Sequence, residues 1–211
     1  VIGDNMKTTK YPPSFFSQYR KYLESPEVKR QHRRVFEAFR AMAELELSRW
    51  SVVDLGCGTC EFGRYVMDQG LGSYVGVDLD LSNADHSVAI ALIEGDYNNL
   101  SAQDNAFVST SNVFVSLFST EVHCSFKERY ALYERLFQNG MEAALVAGFV
   151  YNAHPNEAEV MENFGESHYQ SVEPLRLITS SFEEIRLECK VPAGMFESEF
   201  VEVWKILLRR K

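Results

Sequence analysis

The sequence of 211 residues predicts an α/β protein: a doubly wound, mostly parallel, seven-stranded sheet with a C-terminal antiparallel β-hairpin and N-terminal helices. Three observations predict it. From residue 51 onward, short β-branched runs alternate with helical periodicity, a pattern that lays parallel strands between two layers of helices. The first of these strands runs straight into closely spaced glycines and then a helix. The last two strand-like runs, about 183–191 and 199–209, are joined by a turn around Pro192-Ala193-Gly194. That link is too short for a right-handed crossover, so the two runs must pair antiparallel.

The elements follow in order. Residues 11–24 are rich in aromatics, among them Tyr11, Phe15, Phe16, Tyr19 and Tyr22. Ser25-Pro26-Glu27 then reads as an N-cap, a first-turn proline and an acid suited to the positive end of a helix. Val28, Val35, Phe39 and Met42, with Phe36 and Ala43 alongside, give that helix one apolar face. Ser51–Leu55 and Tyr74–Asp78 read as buried strands around a helix over 61–69. Ala89–Glu94 and Val113–Phe118 are the third and fourth strands, and a helix with the stripe Phe126, Tyr130, Tyr133 and Phe137 follows. Ala143–Tyr151 is the fifth strand, and a mixed helical region spans 156–180. The chain reads as one domain, 1–211, with a helical cap or lid over 1–48 and the sheet-bearing core over 49–211.

Composition narrows the function classes. A net charge of −9 disfavours a nucleic-acid backbone as partner, because phosphate binding needs a dominant basic surface. The basic stretch from Arg20 to Arg40 is read as a solvated helix face, with an anionic-substrate patch as the lesser reading. The longest apolar stretch, Ala143 to Tyr151, is far shorter than the ~20 residues that span a bilayer, so no membrane partner is expected. No basic start followed by a long apolar run marks a leader, and Met6 is a candidate start. Cys57, Cys60, Cys124 and Cys189 are not needed to staple a core of this size, so a reducing, cytoplasmic setting is expected. Cys57-x-x-Cys60 has the spacing of a redox or zinc pair; no second pair completes a zinc site, and two small packing residues are the preferred reading. No metal is expected.

The most informative segment is Val52-Val53-Asp54-Leu55-Gly56-Cys57-Gly58-Thr59-Cys60-Glu61-Phe62-Gly63. Glycines let the backbone turn sharply and admit a ligand where a Cβ would block it. The helix that follows offers unpaired N–H groups and a positive dipole end. The dinucleotide fingerprint asks for a third glycine where Glu61 stands, and a glutamate facing a pyrophosphate would be repelled.

Asp54-Leu55-Gly56-Cys57-Gly58-Thr59 resembles the first motif of the class I S-adenosylmethionine (SAM)-dependent methyltransferases. Val75-Gly76-Val77-Asp78-Leu79-Asp80 resembles the second motif, and Glu94-Gly95-Asp96-Tyr97 continues the match. The resemblance covers residues 50 to about 151, and the C-terminal hairpin by pattern. It implies a Rossmann-like core and SAM as cofactor. Asp78 would bind both ribose hydroxyls, about twenty residues after the glycine loop as a ribose acid should be. Asp96 would bind the adenine amino group, and Asp54, Gly56, Gly58, Leu79 and Tyr97 would complete the cofactor site. Two departures stand out: Cys60 replaces the family's usual third glycine, and the stretch from Asp78 to Asp96 is short. The helix normally found there is expected to shrink to a turn or two, or to vanish.

Ligands of open α/β sheets bind at the carboxyl ends of the strands, so catalytic groups should follow strands four and five. Ser116, Ser119, Glu121 and His123 follow the fourth; Tyr151, Asn152 and His154 follow the fifth. Methyl transfer asks the protein to align a nucleophile and remove its proton. His123, His154 and Glu121 are the candidates, the histidines first because imidazole titrates near neutrality. A solvated or structural role is the competing reading for each. No Asn-Pro-Pro-Tyr-like segment follows strand four, which disfavours the amino methyltransferases of nucleic acids and of protein glutamine; a small-molecule methyl acceptor is expected. The aromatic N-terminal segment would serve as a lid or as packing. The alternative function is a catalytically silent methyltransferase-fold protein acting as a binding or regulatory partner.

Overall fold

A computed structural model describes residues 21–43, 47–70, 72–88, 91–120, 124, 126–153, 182–190 and 199–209. The expected helical region 156–180 and the turn at Pro192-Ala193-Gly194 lie outside the described residues.

Helix α1 (Pro26–Ala43) begins where the capping signal places it, with the Lys29 N–H donating to the Ser25 carbonyl. Its buried face is Val28, Val35, Phe36 and Phe39. Met42, expected on that face, is exposed; His32 is the residue that joins the buried row. Strand β1 (Ser51–Leu55) matches its expected bounds, helix α2 is Glu61–Asp68, and β2 is Ser73–Asp78. Between β2 and β3 (Ala91–Glu94) the described residues form turns and no helix, as the short interval requires.

Helix α3 (Ala102–Val108) was not expected from periodicity. Ser101 nucleates it: the Asp104 N–H donates to the Ser101 hydroxyl, which in turn donates to the Asp104 carboxylate. Strand β4 is Val113–Leu117 and helix α4 is Phe126–Gln138. Strand β5 (Ala143–Ala153) runs past its expected end, so Tyr151 and Asn152 lie within the strand and not after it. The C-terminal strands are β6 (Phe182–Lys190) and β7 (Glu199–Arg209).

The seven strands are ordered β3-β2-β1-β4-β5-β7-β6. The first five are mutually parallel, and β7 pairs antiparallel with both β5 and β6. Alternate residues of the central strands feed two cores. On one side Val52, Val115, Leu145 and Trp204 pack with Phe36 and Phe39 of α1 and Phe62 of α2. On the other, Val53, Phe114, Val146 and Leu207 pack with Leu132, Tyr133, Leu136 and Phe137 of α4. Among the described residues no helix is long and apolar enough to cross a membrane.

A candidate ligand site at the carboxyl edge of the sheet

The strand order reverses between β1 and β4, which places a crevice at the carboxyl ends of those strands. The glycine loop fills one side of it. Gly56 has φ +76° and its N–H donates to the Val77 carbonyl over 2.7 Å; the Cys57 N–H reaches the same oxygen over 3.1 Å. A Cβ on Gly56 would sit 2.0 Å from the Ser119 hydroxyl oxygen, so the loop lies directly on the end of β4. Gly58, with φ +49°, differs: a Cβ there would meet no atom within 4 Å, so the loop is open to a ligand on that side.

Asp78 ends β2 and fixes the loop. Its Oδ2 accepts the Gly58 N–H at 2.8 Å and its Oδ1 accepts the Asp80 N–H at 3.2 Å. Each oxygen keeps a second lone pair. The Asp78 carbonyl accepts the Gly95 N–H at 2.8 Å, which ties the end of β3 to the same place. Asp96 follows, part-buried, its Oδ1 accepting the Asn98 N–H at 2.9 Å. Leu79 is about half exposed beside Asp78, an apolar side chain facing water. Tyr97 is buried instead: its hydroxyl accepts from Ser119 at 3.3 Å and lies 3.5 Å from the Cys124 sulfur. Burial pushes its phenol well above the usual tyrosine range.

Asp54 lies beneath the loop. Its Oδ2 accepts the Tyr74 hydroxyl proton at 2.6 Å, and its Oδ1 has no partner among the described residues. Burial pushes this carboxyl up to about 8, with Cys60, Asp78 and Glu61 adding to the rise and the Tyr74 hydrogen bond opposing it. On the α1 side, His32 Nε2 lies 3.0 Å from Glu202 Oε1, while the Trp204 indole N–H donates to Glu202 Oε2 at 2.8 Å. His32 Nδ1 lies 3.6 Å from the Glu61 carboxylate of α2. Burial also holds Glu202 up at about 8. Both acids are raised above their unfolded values near 4, so the folded chain binds more protons than the unfolded chain between about pH 4 and 8. Their contribution to stability is complete below that window and is lost as pH rises through 8. The urea midpoint is therefore expected to be lower at pH 9 than at pH 6; a midpoint that rises over this interval would contradict the assignment.

Cys60 precedes α2 with φ 59° and ψ 40°, the left-handed conformation that favours glycine. Its side chain is fully buried in the core shared with Phe62 and Tyr74, so it turns inward under the loop. Phe118, at the end of β4, is the other described non-glycine residue with positive φ, at 58°. Strained backbone thus marks both sides of the crevice. Cys60→Gly is expected to change stability by less than about 1 kcal/mol, because relief of strain offsets the lost thiol packing. Cys60→Val is expected to cost more than about 2 kcal/mol, since a β-branched residue resists this conformation. Equal costs in denaturant titrations would contradict that reading.

Gly56, Gly58, Asp78, Leu79 and Asp96 thus lie at the ends of three adjacent strands, and Asp54 and Tyr97 are buried. Glu121, His123 and His154 lie outside the described residues. Ser116 is within β4 and buried, where its hydroxyl accepts the Thr120 N–H at 2.9 Å, so it does not face the crevice. Sequence reasoning missed Tyr74, His32 and Glu202. Only His32 left a signal, as a polar residue on the apolar row of α1. Among the described residues no cluster of His, Cys, Asp and Glu could hold a metal ion.

No protein-family model matches the chain, and no curated protein sequence does. Solved structures do. Magnesium protoporphyrin IX methyltransferase from Synechocystis PCC 6803, crystallised with SAM, is 13% identical over 94% of this chain and 92% of its own, with a TM-score of 0.55. The plantazolicin methyltransferase BpumL, crystallised with a pentazolic substrate analogue and S-adenosylhomocysteine (SAH), is 14% identical over 94% and 92%, with a TM-score of 0.61. A SAM-dependent methyltransferase from Mesorhizobium loti is 17% identical over 82% and 96%, with a TM-score of 0.53. The chain has the fold of the class I SAM-dependent methyltransferases.

Proposed function

We propose that this chain is a SAM-dependent methyltransferase acting on a small-molecule acceptor. The observation that carries the reading is the pair of acids beside an open glycine loop: Asp78 ends β2 and Asp96 follows the adjacent β3, while Asp54 of β1 lies buried beneath the loop. The residues fit the ligand. Asp78 has a free lone pair on each oxygen for ribose hydroxyls, and Asp96 Oδ2 has no partner among the described residues. Exposed Leu79 offers an apolar contact for a base, and open Gly58 admits the ligand to the backbone. Cys60 points into the core and does not crowd the loop. The acids suit a ligand carrying an ammonium and a sulfonium and oppose a pyrophosphate.

When bound, SAM supplies a methyl group activated by its sulfonium. The chain's tasks are to hold the ligand, orient the acceptor and take its proton. His123 and Glu121, following β4, and His154, immediately after β5, are proposed for the last of these. The four cysteines are free, which supports a reducing compartment such as the cytoplasm.

Calorimetric titration with SAH tests the reading. SAH is expected to bind with a micromolar dissociation constant, and NADH in excess is not expected to compete. Absence of SAH binding at millimolar concentration would sink the proposal.

A further inference from the structure

We infer that Cys57 and Cys60 form a reversible dithiol–disulfide pair within the glycine loop, oxidised by a hydroperoxide. The two residues close one tight turn, the Cys60 N–H donating to the Cys57 carbonyl over 2.7 Å. Both thiols are free, and both side chains enter the same buried cluster beneath the loop. Cys60 is the N-cap of α2, at the positive end of the helix dipole, and Arg64 stands one turn further on. Cys57 lies on the other side, near the carboxylates of Asp54 and Asp78.

This charge asymmetry divides the roles. The neighbouring Cys57 thiol, with Asp85, Tyr74 and Arg64 adding, draws the Cys60 thiol down against its burial. The same contact, burial and the acids push the Cys57 thiol up. Placed at the helix N-terminus, Cys60 is the attacking thiolate, and Cys57, beside the acids, is the resolving thiol. Cys60 loses its proton to water, and its sulfur attacks one oxygen of the peroxide, breaking the O–O bond. A sulfenic acid forms on Cys60 and hydroxide leaves, taking up a proton to become water. The Cys57 sulfur then attacks the Cys60 sulfur; the S–S bond forms, the S–O bond breaks, and the departing hydroxide takes the Cys57 proton. Two thiols and one hydrogen peroxide give one disulfide and two waters. Cys60 is fully buried and Cys57 nearly so, so the oxidant reaches the pair when the turn at Gly58 and Thr59 opens.

Closure acts on the ligand loop. A disulfide holds its sulfurs at about 2.05 Å, closer than any contact between two thiols. The Cys57 N–H is pinned to Val77 and the Cys60 carbonyl accepts the Arg64 N–H in α2, so Gly58 and Thr59 between them must adjust. Gly58 carries the N–H that holds Asp78. Oxidation should therefore weaken SAH binding, an effect that rests on the function proposed above, whereas formation of the disulfide does not.

The experiment treats the full-length reduced protein with hydrogen peroxide, blocks the remaining thiols and maps peptides by mass. SAH titrations are run before oxidation, after it, and after dithiothreitol. The peptide holding Cys57 and Cys60 is expected to lose two hydrogens, SAH affinity to fall by about tenfold, and both to recover on reduction. Cys57→Ser is expected to show neither change. Oxidation of Cys189 while Cys57 and Cys60 both remain blockable would overturn the pair. A disulfide that leaves SAH affinity unchanged would overturn its link to the loop. If the reduced protein binds no SAH, the function reading fails while the mass map still decides the pair.

Discussion

Replacing Asp78 with alanine is expected to weaken SAH binding by about 3 kcal/mol, roughly 150-fold in dissociation constant. Two losses combine. The carboxylate that would receive the ribose hydroxyls disappears, and hydrogen bonds to a charged acceptor are worth about 1.5–3 kcal/mol. The Gly58 N–H also loses its partner at 2.8 Å, so the loop is no longer held in the shape that admits the ligand. Asp78→Asn separates the two, because an amide oxygen still accepts the Gly58 N–H while the charge is gone. It is expected to cost about half as much, and calorimetry on both variants checks the order. Equal affinities for wild type and Asp78→Ala would remove Asp78 from the site.

Gly56→Ala is expected to destabilise the fold itself, by about 3–5 kcal/mol. The new methyl would lie 2.0 Å from the Ser119 oxygen and 2.2 Å from its Cβ, and φ at +76° is costly for any side chain. Ser119→Ala does not relieve the overlap, because the Cβ remains. Ser119→Gly does, so the double variant should recover all but the backbone strain, about 1–2 kcal/mol. Urea unfolding of the two variants provides the check; a double variant no more stable than Gly56→Ala would show that the contact with β4 is not the cause.

Much of the fold was legible because its signals are local. β1 and β7 match their expected bounds because their β-branched and aromatic runs stop at a glycine loop in one and at Arg210-Lys211 in the other. The loss of a helix between β2 and β3 followed from a simple shortage of residues. α3 was missed because it is short and its only cue is the Ser101–Asp104 cap. Met42 was misplaced because at the last turn of α1 the apolar row passes from Phe39 to Ala43, which packs against the core while Met42 is exposed.

The site divides in the same way. Asp54, Gly56, Gly58, Asp78 and Asp96 are spaced by strand and loop lengths, which a sequence displays. Tyr74 on Asp54, and His32 on Glu202, are contacts across the sheet between residues that share no local pattern. The second pair joins residues 170 positions apart, and only the packing of α1 against β7 brings them together. The inward turn of Cys60 was likewise invisible, since spacing alone does not distinguish a thiol beneath the loop from one above it.

The most direct test is a crystal structure of the protein grown with SAH. The account requires ligand density along the glycine loop, with the ribose hydroxyls on Asp78 and the adenine between Leu79 and Asp96. Saturating SAH that leaves this crevice without density, or that binds elsewhere on the chain, would contradict it.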